Sequence, residues 1–303
     1  MKEALKSVVF YNYANLGDVF CSRGVIDWVV NNVEAQSYKF SHLWSPYVTQ
    51  DIDNVGFISQ KDLPYMVNIL KNSKGVPRNK NWEIEDGVLY ANVSYMAGSC
   101  YFEKETYALI LLEALKMELK RLLGINVNAE VKDIVPFINF SRFDMSSVDK
   151  YIESAGGKKK VLVCNNNTCS GQAVNFNMDP LIERFSKDKP NVLFFVSNCL
   201  DKKIQRENVK YVDEIVPVVP CDLPEISYIS TKCDYIFSRG SGPGTYSIVR
   251  ENMTNGVKFI AFGSSVGASS FGLEKIYENK FYHKSCRVVE DAISFSNSFI
   301  QSL

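Results

Sequence analysis

Short apolar runs alternate along this chain with polar, glycine-bearing loops and with stretches of helical period. Residues 7–13 (SVVFYNY) are dense in β-branched and aromatic side chains, which predicts a buried strand. A small polar loop, 14–18, follows. Phe20, Val25, Ile26, Trp28, Val29 and Val33 then recur at near-helical spacing. Residues 37–44 predict a second strand, 62–70 a helix, 74–80 a polar turn and 87–95 another strand. A long helix is expected over 104–123, where Tyr107, Leu111, Leu112, Leu115, Met117 and Leu122 supply the apolar side and Gly124 the C-cap.

From 125 to 157 the period fades, and Ala155-Gly156-Gly157 closes the stretch. The same rhythm then restarts. Strands are predicted at 160–164, 191–197, 209–212, 234–237 and 257–262. Helices are predicted at 179–186, at 222–232 behind the capping-box string Asp222-Leu-Pro-Glu225, at 246–254 and at 291–303. Alternating strands and helices imply parallel sheets. The expected fold class is therefore α/β, two Rossmann-like doubly wound domains facing a cleft. Their bounds are set at 1–150 and 151–303, with the closing helix placed to pack back on the first domain.

Composition narrows the function classes. The chain has 303 residues, 46% hydrophobic and 22% charged, ordinary for a globular protein. Its 34 Lys plus Arg balance 34 Asp plus Glu, so the basic stripe of a nucleic-acid binder is missing. No apolar run approaches the roughly 20 residues that cross a bilayer, which leaves at most peripheral membrane contact. Eight scattered cysteines without a CxxC pair or a signal peptide fit reduced thiols and a cytoplasmic protein. Two histidines, His42 and His283, lack ligand spacing, so no metal site is expected. Neither lies near a GxSxG elbow. Asp51-Ile-Asp53 matches a metal-binding DxD string, but so short a string arises by chance.

In open parallel sheets, ligands bind beyond the carboxyl ends of the strands. Three strand-to-helix loops therefore hold the candidate chemistry. In Asn15-Leu-Gly17-Asp18, glycine permits a tight turn and Asp18 is placed as a general base for an acceptor hydroxyl; the alternative is a simple helix cap. The loop 165–172 (NNNTCSGQ), with Asn166 and Thr168, suits an oxygen-rich ligand or else a solvated turn. The loop 239–245 (RGSGPGT) has the makings of a phosphate cradle, or of a glycine-rich connection needed for packing. Arg239 would add a fixed charge for a diphosphate.

These loops, in this order, resemble the heptosyltransferase-like glycosyltransferase family 9. The resemblance rests on Asn15-Leu-Gly17-Asp18 behind the first strand, on residues 233–243 (CDYIFSRGSGP), and on 260–264 (IAFGS). It implies a GT-B fold, a nucleotide-sugar donor held mainly by the C-terminal half, a glycan or glycolipid acceptor, and no cofactor or required metal. Asp18 carries over as the catalytic base, Asn15 and Gly17 as the acceptor-side loop. Ser241, Gly242 and Pro243 carry over to the donor site, which Gly244, Thr245, Arg239, Asn166 and Thr168 extend. The chain departs from the family at Gly240, where an acidic residue is usual, and at Thr245, where a histidine is usual; both bear on the donor's identity. The N-terminal Asn-x-Gly-Asp also resembles polysaccharide pyruvyltransferases, which would use phosphoenolpyruvate. A non-catalytic nucleotide- or sugar-binding protein on the same scaffold is the third reading.

Overall fold

The structure, a computed structural model, describes residues 5–42, 49–59, 62, 82–94, 106–168, 173–216, 223–240, 242–263 and 271–303. The chain divides into two compact units, 1–139 and 140–303. The division falls upstream of the 150/151 junction read from the sequence. Its reason is local: the periodless stretch contains a helix, Ser146–Ser154 (α4), that belongs with the second unit. Tyr228 closes that contact, donating to Asp149 at 2.7 Å and meeting the Phe140 ring edge-on at 5.1 Å.

In the first unit, strands β1 (Ser7–Tyr11), β2 (Tyr38–Ser41), β3 (Val55–Phe57), β4 (Glu83–Glu85) and β5 (Val88–Asn92) form a sheet of order β3-β2-β1-β5-β4. All pairs are parallel except the β4–β5 hairpin. Strand β1 is buried along its whole length, as a central strand covered on both faces must be. The helical pattern after it breaks in two, at Ser22: α1 (Leu16–Cys21) and α2 (Arg23–Asn32). The Ser22 hydroxyl donates back to the Val19 carbonyl at 2.6 Å, the local competition that ends helices at serine. Helix α3 (Tyr107–Leu123) ends at Gly124 in the left-handed conformation, φ 69°, as its sequence requires.

Helix α2 runs against a short 3-10 helix, Val131–Ile134, and Gly24 makes this approach possible. A Cβ at Gly24 would stand 1.8 Å from the Ile134 carbonyl oxygen. A buried ion pair braces the same region. Arg23 Nη2 lies 2.5 Å from Asp51 Oδ2, Arg23 Nε donates to the Phe137 carbonyl at 2.9 Å, and the Asn139 amide donates to Asp51 at 2.9 Å. Asp51 of the DxD string is thus a structural anchor.

The second unit contains β6 (Lys159–Val163), β7 (Val192–Val196), β8 (Val209–Tyr211), β9 (Tyr235–Ser238), β10 (Lys258–Ala261) and β11 (Phe281–His283) in the order β11-β10-β9-β6-β7-β8. Counted within the unit this is 6-5-4-1-2-3, all parallel, the order of dinucleotide-binding sheets. Helices α5 (Asp179–Asp188), α6 (Leu223–Ser230), α7 (Gly242–Tyr246), α8 (Arg250–Thr254) and α9 (Val289–Gln301) connect or close it. The single helix expected over 246–254 is two short ones, with Ser247 to Val249 between them. Strand residues Val161, Phe194 and Phe237 share one core with Leu181 and Phe185 of α5 and with Ala292 and Ile300 of α9. Burying each such large side chain contributes roughly 1.5–3 kcal/mol. The closing helix therefore belongs to the second unit's own core. It is fastened there by the Lys189 ammonium on the Gln301 carbonyl, 3.2 Å, and by Tyr235 and Ser302, 2.8 Å apart.

Candidate active site

Each sheet changes direction once, and the crossovers on either side of that point open a crevice at the strand ends. In the first unit it lies between β1 and β5, paired with Tyr11 opposite Asn92. Asp18 follows β1 here, in the first turn of α1, and is half-buried. Asn12 supports the turn from below, accepting from the Ala14 amide at 3.1 Å and donating to the Asp18 carbonyl at 3.3 Å. The Asp18 carboxylate accepts from the Tyr107 hydroxyl at 3.1 Å. Burial raises the proton affinity of Asp18; the Tyr107 hydroxyl and the Asn15 backbone amide oppose that rise. The carboxylate thus bonds both to the backbone at the start of its own helix and to a side chain from another helix. Asn15 is the exposed N-cap, its carbonyl accepting from Val19 at 3.0 Å, and Gly17 is in the first turn.

His42, at the end of β2, has its Nε2 3.2 Å from the Ala14 carbonyl, and burial lowers its pKa. Tyr13 donates to Ser41 at 3.4 Å, and burial pushes its phenol up to about 12. Burial thus favours the neutral form of both rings.

In the second unit the direction changes between β6 and β9, and the two expected ligand loops emerge from these neighbouring strands. Arg239 and Asn166 meet there: Arg239 Nη2 donates to the Asn166 carbonyl at 2.8 Å. The Asn166 side chain in turn accepts from the Ser197 hydroxyl at the end of β7. Arg239 has no exposed surface, and its charge lies 5.4 Å from the centre of the Phe176 ring. Among the described residues its Nε and Nη1 are buried and have no hydrogen-bond partner. Burial pulls its pKa down to about 10, so it stays charged. The neighbouring Cys164 thiol, pushed up to about 12 by burial, offers no countercharge.

Thr168 turns inward. Its amide and hydroxyl donate to Asn175 Oδ1 at 2.7 and 3.1 Å, and Asn175 Nδ2 returns a bond to the Thr168 carbonyl at 3.0 Å. The threonine thus braces its own loop, whose residues 169–172 lie outside the described ones. After β9, Gly240 takes a left-handed turn, φ 73°. Ser241 lies outside the described residues. Gly242 and Thr245 are half-buried at the start of α7, while Pro243 and Gly244 are buried. A Cβ at Gly244 would come within 2.7 Å of Ser238 Cβ, so this glycine serves close packing of α7 on β9. Tyr107, Asn175 and Phe176 escaped the sequence reading. Tyr107 stands on an apolar helix face and reads as core. Asn175 and Phe176 follow a loop already rich in asparagine, and only their partners distinguish them. Among the described residues no group of three or more His, Cys, Asp or Glu side chains could hold a metal ion, and no helix is long and apolar enough to cross a membrane.

No family model and no curated protein matches the sequence. Solved structures do. A glycosyl transferase family 9 protein from Veillonella parvula DSM 2008 superposes with a TM-score of 0.58 at 12% identity, covering 100% of this chain and 99% of that one. The E. coli heptosyltransferase WaaC with ADP-2-deoxy-2-fluoro heptose gives 0.52 at 9% identity, covering 98% and 99%. The E. coli ADP-heptose LPS heptosyltransferase II gives 0.50 at 11%, again 98% and 99%. The chain has, over its whole length, the mixed α/β fold with parallel sheets of these GT-B glycosyltransferases.

Proposed function

We propose that this protein is a glycosyltransferase that moves a sugar from a nucleoside diphosphate to a hydroxyl of a glycan or glycolipid, without a metal. The observation that carries the reading is Asp18: a half-buried carboxylate with raised proton affinity, at the switch point of a sheet whose fold is that of sugar transferases. Carboxylates with perturbed proton affinity are concentrated at sites of proton transfer.

The first unit supplies the base and binds the acceptor beside Asn15 and Gly17. Asp18 takes the acceptor's hydroxyl proton. The freed oxygen lone pair forms the new bond to the anomeric carbon. The bond from that carbon to the diphosphate breaks, and its electron pair leaves on the nucleoside diphosphate. The second unit holds that leaving group between the loops of Asn166 and Thr168 and of residues 239–245. Arg239 is suited to the developing charge, because two of its buried donors lack partners. An unpaired buried donor costs roughly 1–3 kcal/mol, and phosphate oxygens would remove that cost. A fixed guanidinium also takes the place of a cation at the diphosphate. The solved neighbours bound to ADP and to an ADP-heptose analogue support a nucleotide-sugar donor. Gly240 and Thr245 leave its base and sugar to be found by assay.

The test is release of nucleoside diphosphate from a panel of nucleotide sugars with a glycan acceptor. One donor is expected to turn over, and Asp18→Asn to lower kcat by about 10²–10⁴. Full turnover by Asp18→Asn would remove the base assignment. Consumption of phosphoenolpyruvate instead of any nucleotide sugar would replace the reading by pyruvyl transfer, and nucleotide binding without turnover by a binding role.

A further inference from the structure

Asp18 receives its side-chain hydrogen bond from far along the chain. Tyr107 opens α3, the helix that follows β5, and is 89 residues from Asp18. Strands β1 and β5 are the neighbours between which the sheet order reverses. The Tyr107–Asp18 bond therefore ties together the two crossovers that flank the switch point. It also acts on a carboxylate with few other partners. Among the described residues the groups facing Asp18 are Tyr107 of α3, the Asn15 backbone amide, and the neutral thiol of Cys21 on its own helix, which burial keeps protonated. His42, just past β2, faces the Ala14 carbonyl of the same loop, and Arg23 of α2 is committed to Asp51. Among the described residues no cation pairs with Asp18.

On the reading of Asp18 as the base, we propose that Tyr107 is its positioning residue: the phenol fixes the carboxylate's plane and aims its remaining lone pairs at the acceptor hydroxyl. A carboxylate has about four lone-pair sites, so one donated bond orients it and leaves acceptor capacity. Tyr107 keeps its own proton throughout, and the acceptor's proton goes to Asp18. The same bond favours the ionised form and opposes the effect of burial. Tyr107 thus sets both the direction of the base and the pH at which it becomes competent.

The experiment uses the full chain with ¹³C-carboxyl-labelled aspartate, the Asp18 signal being assigned from its loss in Asp18→Asn. Tyr107→Phe keeps the ring and removes the donor, and the Asp18 titration is expected to move to higher pH. Activity is lost as pH falls through the Asp18 titration, so the acid limb of the rate profile should move up by the same amount. At neutral pH kcat is expected to drop roughly 3–10-fold, the worth of one hydrogen bond, with donor KM unchanged. Incorporating 3-fluorotyrosine at position 107, a more acidic phenol and stronger donor, should move the titration the opposite way without altering packing. An Asp18 titration that stays put in both variants overturns the proposal, whatever Asp18→Asn does to turnover. Full turnover by Asp18→Asn overturns the base reading separately, whatever the titration shows.

Discussion

Two arginines with no more than 2% exposure illustrate how differently one residue type is used in this chain. Arg23 is satisfied by Asp51 and the Phe137 carbonyl and holds segments of the first unit together. Among the described residues Arg239 donates to the Asn166 carbonyl and has two buried donors without a partner. A buried charge so poorly partnered contributes little to stability, and apolar replacements of such groups are often neutral or stabilising. Arg239→Met is therefore expected to melt within a few degrees of wild type. Inorganic pyrophosphate should raise the wild-type Tm, by about 2.7 kcal/mol of added stability at a hundredfold excess over Kd, and leave the variant's unchanged. A variant that fails to fold would make Arg239 a structural residue like Arg23. Sequence alone separated neither case. Asp51 fell in a string suggestive of metal binding, and its true partner lies 28 residues away. Arg239 was recognisable as a loop cation, but its lack of a countercharge is a property of the packed state. Tyr107 is the plainest loss: it shares its helix face with leucines, and its hydroxyl's reach to Asp18 is visible only in the folded chain.

At the scale of elements, the legible pieces were those whose pattern is long or strongly marked. Helix α3 ends on Gly124 as its C-cap predicts, and β1 is buried from end to end. The strands β3, β4 and β11 have three residues each and, unlike the equally short β8, no buried position, so they leave little apolar pattern to read. Helix α4 has apolar residues only at Val148, Tyr151 and Ile152 and no side-chain cap, so its sequence reads as loop. At the break between α1 and α2 the Ser22 hydroxyl bonds back to the Val19 carbonyl. Gly24, in α2, has a value that helix propensity hides. Alanine is intrinsically better in a helix by about 1 kcal/mol. Here its methyl would stand 1.8 Å from a backbone oxygen that cannot swing aside. Overpacking of this kind costs about 1–3 kcal/mol or more, so the clash wins. Gly24→Ala is expected to lower stability by about 2 kcal/mol in a urea titration, and a stabilised variant would show that α2 and the 3-10 helix shift apart cheaply.

At the scale of the molecule, the fold was the most legible property, because alternating strand and helix patterns survive where residue identities do not. The 12% identity to a structure matched over the whole chain makes the same point. The junction was less legible: the compositional break lies at 155–157, whereas the units part at 139/140. The second unit has a core of its own, to which α9 contributes Ala292 and Ile300. Chains with separate cores depart from two-state melting. Calorimetry is expected to show two transitions, and a nucleoside diphosphate to raise only the one belonging to residues 140–303. A single transition moved as a whole would mean that the units unfold as one.

The parallel order of the first sheet also has a consequence for the newborn chain. Strand β1 finds its partner β5 only at residues 88–92, and Arg23 finds the Phe137 carbonyl later still. At about 5–20 residues per second, a ribosome needs on the order of ten seconds to supply residue 139 after the N-terminus has been made. For much of that interval the most apolar strand of the unit has β2 on one side and waits for β5 on the other. The first unit is thus an early client for whatever shields nascent apolar segments, and slow or paused synthesis between residues 12 and 88 would lengthen its exposure.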